Sequence, residues 1–451
     1  MTKSLINVRE WYAGRFARFE EGLNGASGSP LHALRRGGIA AFAAGGFPTT
    51  DQEEWRFTSV APIASTEFTP VLVYDQSGVT ESDLGEWILA RAGSILLVFI
   101  NGHFSRTLSS IPALPEGVSA GSLAAALAGD PALASRYLAP DPAGEDPFAS
   151  LNTAFLVDGA FVRVDAGVVL DAPVQILSLS VSSAAPLLVQ PRHLIIAGDR
   201  ARIAVVESYG GKGRGISLTN AVTQIIVGDG GAVEHDKLQL ENQASYHVGT
   251  TRVTLGRESS FTSNTINLGG AIVRNNVSAR FAGERAECTL NGLSVATGTQ
   301  LVDNHTVIDH AVPHCESHEL YKSVLDGNAR GVFNGKIFVR QDAQKTDAKQ
   351  TNKTLLLSDD ATIDTKPQLE IFADDVKCTH GATVGQLDEE QVFYLRARGI
   401  GETEARDLLT FAFATDVINR VHVDVLREKL DALLHTRLRQ GRVTLETWCK
   451  Q

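Results

Sequence analysis

The sequence predicts a mainly β fold: a parallel β-helix core between an N-terminal and a C-terminal helical region. Three observations predict it. From Phe148 to about Gly385 the chain is short β-branched runs cut by Gly, Asn and Asp. Within that stretch one element recurs, as IIAGDRARI, IIVGDGGAV, VTLGRESSF, RFAGERAEC, VLDGNARGV and LLLSDDATI. On either side of it the apolar residues keep a helical period.

The first helix is read from Val8, Trp11, Tyr12, Phe16 and Phe19, which roughly follow a 3.6-residue period between charged residues. Gly22 to Pro30 is a Gly/Ser/Pro loop, and a second helix runs through Leu34 to Phe42. The segment PTTDQEEWRFT then sets acidic residues ahead of Trp55 and Arg56. These elements make residues 1–90 an N-terminal helical region. ILLVFINGHF, from Ile95 to Phe104, reads as strand with Asn101-Gly102 as its turn. Ala120 to Tyr137 is Ala/Leu-rich and helical, and APDPAGEDP is a linker by composition. The β-helix core is assigned to 91–385, with a mixed, partly helical lead-in to about 150.

Each recurring element is an apolar run, a small turn residue, a polar pair, a small residue and a return to strand. The turn residues are Gly198, Gly228, Gly256, Gly283, Gly327 and Ser358, spaced by 30, 28, 27, 44 and 31 residues. Periods of 20–50 residues mark solenoids and arrays. Strand-only repeats of this length suit a parallel β-helix, with Gly at the corner allowing positive φ. The 44-residue interval is taken up by a longer loop or by a coil with a different corner. A WD-type propeller would show its WD dipeptide, and a hexapeptide helix would repeat much faster.

From Gln386 the texture changes again, and 386–451 is assigned to a C-terminal helical region. Asp388 followed by Gln391 resembles a capping box without its Ser/Thr. A second helix runs from about Glu402 to Arg420, and its LLTFAFATDVI is apolar nearly all round. Such a helix is buried in its own chain or against another. A third carries Leu426, Leu430, Leu433 and Leu434 on one stripe. These helices either cap an exposed end of the β-helix or dock a partner.

Composition excludes several classes. With Lys+Arg 41 and Asp+Glu 52 the formal net charge is −11, which disfavours nucleic acid and anionic membranes as partners. No apolar run approaches the ~18–20 residues that span a bilayer. MTKSLINVREWYAGRF lacks a signal core, so the cytosol is the expected compartment. The four cysteines, Cys288, Cys315, Cys378 and Cys449, lie far apart with no CxxC. That spacing argues against a disulfide framework and against a self-contained four-Cys metal site.

Three segments carry candidate chemistry. GGKGRG, Gly210 to Gly215, lacks the Gly-Lys-Ser/Thr of a P-loop and the spacing of a dinucleotide fingerprint, so it reads as a flexible corner loop. NHTVIDHAVPHCESH holds His305, His310, His314, Cys315 and His318, all competent ligands. On a strand their side chains alternate faces, which favours ordinary polar surface over a metal site. DDVKCTHGATVG is the sharpest candidate. Cys378 and His380 are two residues apart, so a strand points both to one side, with Asp374 and Asp375 just upstream. Thiol and imidazole then form half a metal site or a Cys/His nucleophilic dyad. Half a site implies that another subunit supplies the rest.

The run GVFNGKIFVRQDAQKTDAKQTNKTLLLSDDATIDTKPQLEIFADDVKCTHGATVGQLDEEQVFYLRARGI resembles the signature region of the SufB/SufD family of iron–sulfur cluster assembly proteins. The likeness covers essentially the whole chain and is strongest over 320–420. The SufB form carries a Cys-Glu-His-Glu-type run at KCTHGATVGQLDEEQVFYL and usually an N-terminal Cys-rich motif; this chain has neither. The resemblance implies that the β-helix is right-handed. It implies a cytosolic complex with SufB, paired through the β-helix end, and with two copies of the ATPase SufC, docked on the C-terminal helices. It implies a nascent Fe–S cluster, or iron, held transiently at that interface, with His380 and the neighbouring Cys378 as candidate ligands and no stably bound cofactor in the isolated chain. ATP hydrolysis belongs to SufC, so this chain is expected to be a non-catalytic scaffold. The solenoid alone leaves two rivals open. One is a β-helix carbohydrate-active enzyme; the other is a structural homodimer joined at its ends, a pairing also expected of the isolated chain.

Overall fold

The structure, a computed structural model, describes residues 8–23, 28–76, 78–89, 94–139, 146–182, 185–213 and 215–439. Its core is a flattened solenoid of eight turns, each giving one strand to each of two parallel sheets. Turn by turn the strands are β1 (Ala160–Val164) and β2 (Val174–Val181), β3 (Arg192–Ala197) and β4 (Arg202–Lys212), β5 (Ser217–Val227) and β6 (Ala232–Gln239), β7 (Tyr246–Leu255) and β8 (Ser260–Asn267). They continue as β9 (Ile272–Phe281) and β10 (Glu287–Ala296), β11 (Leu301–His310) and β12 (Glu316–Leu325), β13 (Arg330–Val339) and β14 (Asp347–Leu356), β15 (Thr362–Ile371) and β16 (Lys377–Gly385). Odd strands form one sheet and even strands the other. The expected parallel β-helix is therefore the observed core.

Both inner faces pack into one lumen. Ile203, Val233, Phe261 and Cys288 line it from the even sheet, and Ile195, Ile225, Val253 and Ile308 from the odd sheet. Polar side chains share the lumen, and several pair with one another, as most buried polar groups do. His235 Nε2 lies 2.9 Å from Glu207 Oε1, His247 Nδ1 lies 2.9 Å from Glu241 Oε1, and Lys237 Nζ donates to Asn275 Oδ1 at 2.9 Å.

The corners correct the sequence reading in two ways. Gly327 adopts the expected positive φ (67°), but Gly198, Gly228, Gly256 and Gly283 do not. That conformation falls two residues later, at Arg200, Gly230, Glu258 and Arg285, and further along at His314 and Lys345. Those four glycines are required for close stacking instead. A Cβ at Gly283 would lie 2.1 Å from the backbone nitrogen of Arg257, on the preceding turn. Second, the 44-residue interval is neither a long loop nor an irregular coil. Gly283 follows β9, whereas Gly327 follows β12 and Ser358 follows β14, so the repeat switches to the opposite edge and spans one and a half turns. The turn itself stays regular: Leu301 pairs with Arg330, 29 residues on.

Gly283→Ala is thus expected to destabilise the fold by about 1–3 kcal/mol, because backbone cannot yield as a flexible side chain can. Gly381→Ala, where nothing lies within 4 Å of the added Cβ, is expected to be near neutral. Denaturant midpoints of the two variants check this; equal midpoints would refute the stacking role.

Most local signals elsewhere hold. Ile95–Ile100 and His103–Phe104 form the hairpin, with Asn101 (φ 51°) and Gly102 (φ 86°) as its two-residue turn. Ile95–Ile100 also pairs with β2, extending the even sheet. Of the stretch read as helical, Ala120–Ser122 is instead the end of a strand, Val118–Ser122, paired antiparallel with β1, and the rest is two short helices, Leu123–Gly129 and Ala132–Tyr137, because Asp130 and Pro131 interrupt it. Asp388 caps the helix Glu389–Arg396 by accepting from the backbone N–H of Glu390.

The helical regions lie on the sides of the solenoid and not across its final turn. On the odd sheet, Tyr12, Phe16, Phe42, Trp55 and Phe148 pack with Leu218 and Val248. The helices Glu402–Ile418 and Asp424–Arg439 lie on the even sheet, where Ala414, Val417, Leu426, Leu430 and Leu434 meet Leu238, Ile266, Leu293 and Leu320. The capping role considered for the C-terminal helices is therefore not what the structure shows. Their apolar surface is used sideways.

Candidate functional site

The last turn is where the solenoid is unsealed. Among the described residues β15 pairs only with β13, and β16 only with β14. Among the described residues no further strand stacks beyond them, so their outer backbone groups form an unpaired rim. Ile371, Phe372 and Val384 are exposed along or beside it.

Cys378 and His380 lie on β16. Register decides where they point. Cys378 continues the column Phe261, Cys288, Ser317, Ala348, and His380 continues the column Ser263, Leu290, Glu319, Gln350. Both columns face the lumen in earlier turns. At the last turn the same direction opens on the mouth of the tube, leaving His380 exposed and Cys378 half-buried against Ile337, Val339 and Ala348. The two side chains thus share one side, as their spacing predicts. Burial, together with the nearby Asp347 carboxylate, raises the Cys378 thiol. It is a thiol and not a pre-formed thiolate, which weakens the nucleophilic-dyad reading.

Asp374 and Asp375 do not join them. Both are exposed in the corner before β16, where Asp375 pairs with Lys345. The histidine group disperses too. His305 lies outside the odd sheet, 3.0 Å from Asp303 Oδ1 and 3.4 Å from Glu54 Oε2. His310 is inside the lumen on Ser317 Oγ at 2.9 Å, and burial pushes its imidazole down to about 4. His314 occupies a left-handed corner position, Cys315 is buried in that corner, and His318 is half-exposed on the even sheet near Glu316. No group of three or more His, Cys, Asp or Glu among the described residues is placed to hold a metal ion. Cys449 lies outside the described residues. In GGKGRG, Lys212 ends β4 and pairs with Asp83 at 2.6 Å, while residue 214 lies outside the described residues.

Sequence reasoning missed the clamp that seats the N-terminal region. Arg274 Nη1 lies 2.6 Å from Asp303 Oδ2 and donates to the Glu54 carbonyl at 2.9 Å. Its guanidinium sits 4.1 Å over the Trp55 ring, which stacks on Phe148 at 5.4 Å. Burial alone would raise the Asp303 carboxyl, yet Arg274 and His305 hold it at about 2. The signal was present in QEEWRF, whose Trp is flanked by charges, but Arg274 and Asp303 lie over two hundred residues away.

A second surface lies on the C-terminal helices. Phe393 is 71% exposed, Tyr394 57% and Leu408 42%, beside a cleft of about 300 Å³ lined by Gln391, Tyr394, Leu395 and Leu409. The helix Glu402–Ile418 is tied to the solenoid through Lys322 of β12, which pairs with Asp416 at 2.8 Å and donates to the Phe413 carbonyl at 3.0 Å.

Fold and surface together define a parallel β-solenoid protein with an unpaired strand rim at its last described turn and exposed apolar side chains on its C-terminal helices. Family comparison is specific. Residues 180–413 match the SufBD core domain of SUF-system FeS cluster assembly, and 6–176 match the SufBD protein N-terminal region. An iron–sulfur cluster assembly SufBD family protein of Synechocystis is 33% identical over 90% of this chain and 91% of its own length. The iron–sulfur cluster assembly protein SufD of Escherichia coli is 30% identical over 88% and 90%, and SufD of Bacillus subtilis 27% over 65% and 68%. The chain belongs to the SufB/SufD family of iron–sulfur cluster assembly proteins, and within it is SufD-like.

Proposed function

We propose that this chain is a non-catalytic scaffold subunit of a cytosolic SUF assembly complex. It pairs with SufB through the rim of β15 and β16, docks the SufC ATPase on its C-terminal helices, and contributes to nascent cluster formation at the SufB interface. The observation that carries this reading is the placement of Cys378 and His380 on the exposed last turn, beside unpaired strand edges. Two ligands hold iron weakly, so the cluster is passing cargo whose remaining coordination comes from SufB. A neutral imidazole and a thiolate both suit iron. Cys378 gives up its proton as the metal binds.

The exposed Phe393, Tyr394 and Leu408 support the docking surface. Closure of a SufC pair on ATP would pull the helix Glu402–Ile418. Its ties at Lys322 and its packing against β10 and β12 would pass that pull to the sheet. The rim also favours a second arrangement for the isolated chain, a homodimer in which two copies cover each other's edges.

Tagged chain recovered from its own cells should bring down a SufB-type subunit and an ATPase. Phe393→Asp together with Leu408→Asp should lose the ATPase and retain the SufB-type subunit. Recovery of the chain alone, or with only a second copy of itself, would overturn the assignment.

A further inference from the structure

The lumen column that ends at His380 contains a buried carboxylate which the proposed function leaves unused. Leu290, Glu319, Gln350 and His380 are direct register partners on β10, β12, β14 and β16. Leu290 belongs to the lumen core, so the column faces inward. Glu319 is 3% exposed and Gln350 2%. The Gln350 amide nitrogen donates to Glu319 Oε2 at 2.6 Å. Across the lumen, a Cβ at Gly335 would lie 2.2 Å from that nitrogen, so the bare backbone of β13 makes room for the amide. The other end of the amide, Gln350 Oε1, is buried with no hydrogen-bond partner. A buried, unpaired acceptor is costly, and the next residue in its column is His380.

We propose that Gln350, held by Glu319, is a positioning residue for His380: its carbonyl oxygen accepts one imidazole N–H and leaves the other ring nitrogen free for metal. This rests on the reading of His380 as a ligand. Adjacent strands are about 4.8 Å apart, so neighbouring side chains in one column are within reach of each other. Histidines that bind metal commonly donate their second nitrogen to a carbonyl or carboxylate, which selects one tautomer. Glu319 supplies the direction. An ionised carboxylate only accepts, so Gln350 must turn its NH2 inward and its oxygen toward the mouth. Burial pushes the Glu319 carboxyl up to about 7 against hydrogen bonds from Gln350 and Thr306, so above that pH the orientation is enforced. The other titratable groups beside Glu319 are Tyr321 on its own strand and Cys288 on β10; burial raises both, and they stay neutral. From the odd sheet Thr306, Phe333 and Gly335 face it and bring no charge.

The test is imidazole nitrogen NMR on full-length chain carrying 15N-labelled histidine, at pH 8. The His380 signals are those lost in His380→Ala. The wild-type chain should show one dominant His380 tautomer. Gln350→Leu should show both tautomers. Glu319→Gln keeps size and removes the charge, so the amide can turn over and the population should shift toward the other tautomer. If Gln350→Leu does not fold, Glu319→Gln carries the test alone. A mixed wild-type tautomer, or a Glu319→Gln chain with the wild-type pattern, would overturn the inference. Its failure is separable from that of the ligand reading: unchanged tautomers with cluster yield lost in His380→Ala sink only the positioning role, whereas full yield in His380→Ala sinks the ligand role.

Discussion

Replacing His380 with alanine is expected to remove most nascent cluster formation in the assembled complex while leaving the chain folded and its helical surface intact. His380 is exposed, on the last strand of its sheet, and its side chain is no part of the packed core. Surface substitutions of that kind usually change stability by within about 0.5 kcal/mol. The loss is chemical. Removing even a group that only supports a metal ligand costs about 10–100-fold in affinity or activity, and a ligand itself should cost no less. Cluster yield is read from visible absorbance after reconstitution, and integrity from the thermal midpoint and SufC capture. Full yield with an unchanged midpoint would reject His380 as a ligand. Cys378→Ser is the informative companion: its thiol is raised, so its loss should weaken holding of iron without abolishing the His380 contribution.

Asp303→Ala is expected to produce the largest loss of stability. Asp303 is fully buried and anchors Arg274, Thr58 and His305 at one carboxylate. Removing it leaves the Arg274 guanidinium buried without its counter-ion, a change that typically costs about 3–5 kcal/mol. It also loosens Trp55 and Thr58, so the N-terminal region should become protease-sensitive before the solenoid does. The comparison is Asp364→Ala, which removes a partly exposed pair with Arg330 and should cost about 0–1 kcal/mol. Denaturant midpoints and limited proteolysis separate the two. Equal small losses would show that the clamp is not what holds the N-terminal region.

Much of this architecture was legible in local patterns. The Asn101-Gly102 turn, the Asp388 cap and the leucine stripe at 426, 430 and 434 each involve residues within about one helical turn or hairpin of one another. The Cys378-x-His380 spacing was legible for the same reason: strand alternation alone puts both side chains on one side. The corner glycines were located correctly and Gly327 was explained correctly, but Gly198, Gly228, Gly256 and Gly283 were not, because a glycine needed for positive φ and a glycine needed for close approach look alike in sequence. The Gly283–Gly327 interval misled because both edges of the solenoid use similar turn residues. The histidines from 305 to 318 looked like a cluster and are spread over the outside of one sheet, the lumen, a corner and the outside of the other.

By itself, then, the sequence determined the class of fold, the helical flanks, the turn that closes the first hairpin and the pairing of Cys378 with His380 on one side. The tertiary structure alone decided that these two residues stand at an open mouth, that the C-terminal helices lie along a sheet, and that Glu319 and Gln350 stack beneath His380. The physical reason is distance along the chain. Turn chemistry and periodicity act between near neighbours, whereas stacking joins residues about thirty positions apart, such as Gln350 and His380. That register depends on the length of every corner between them.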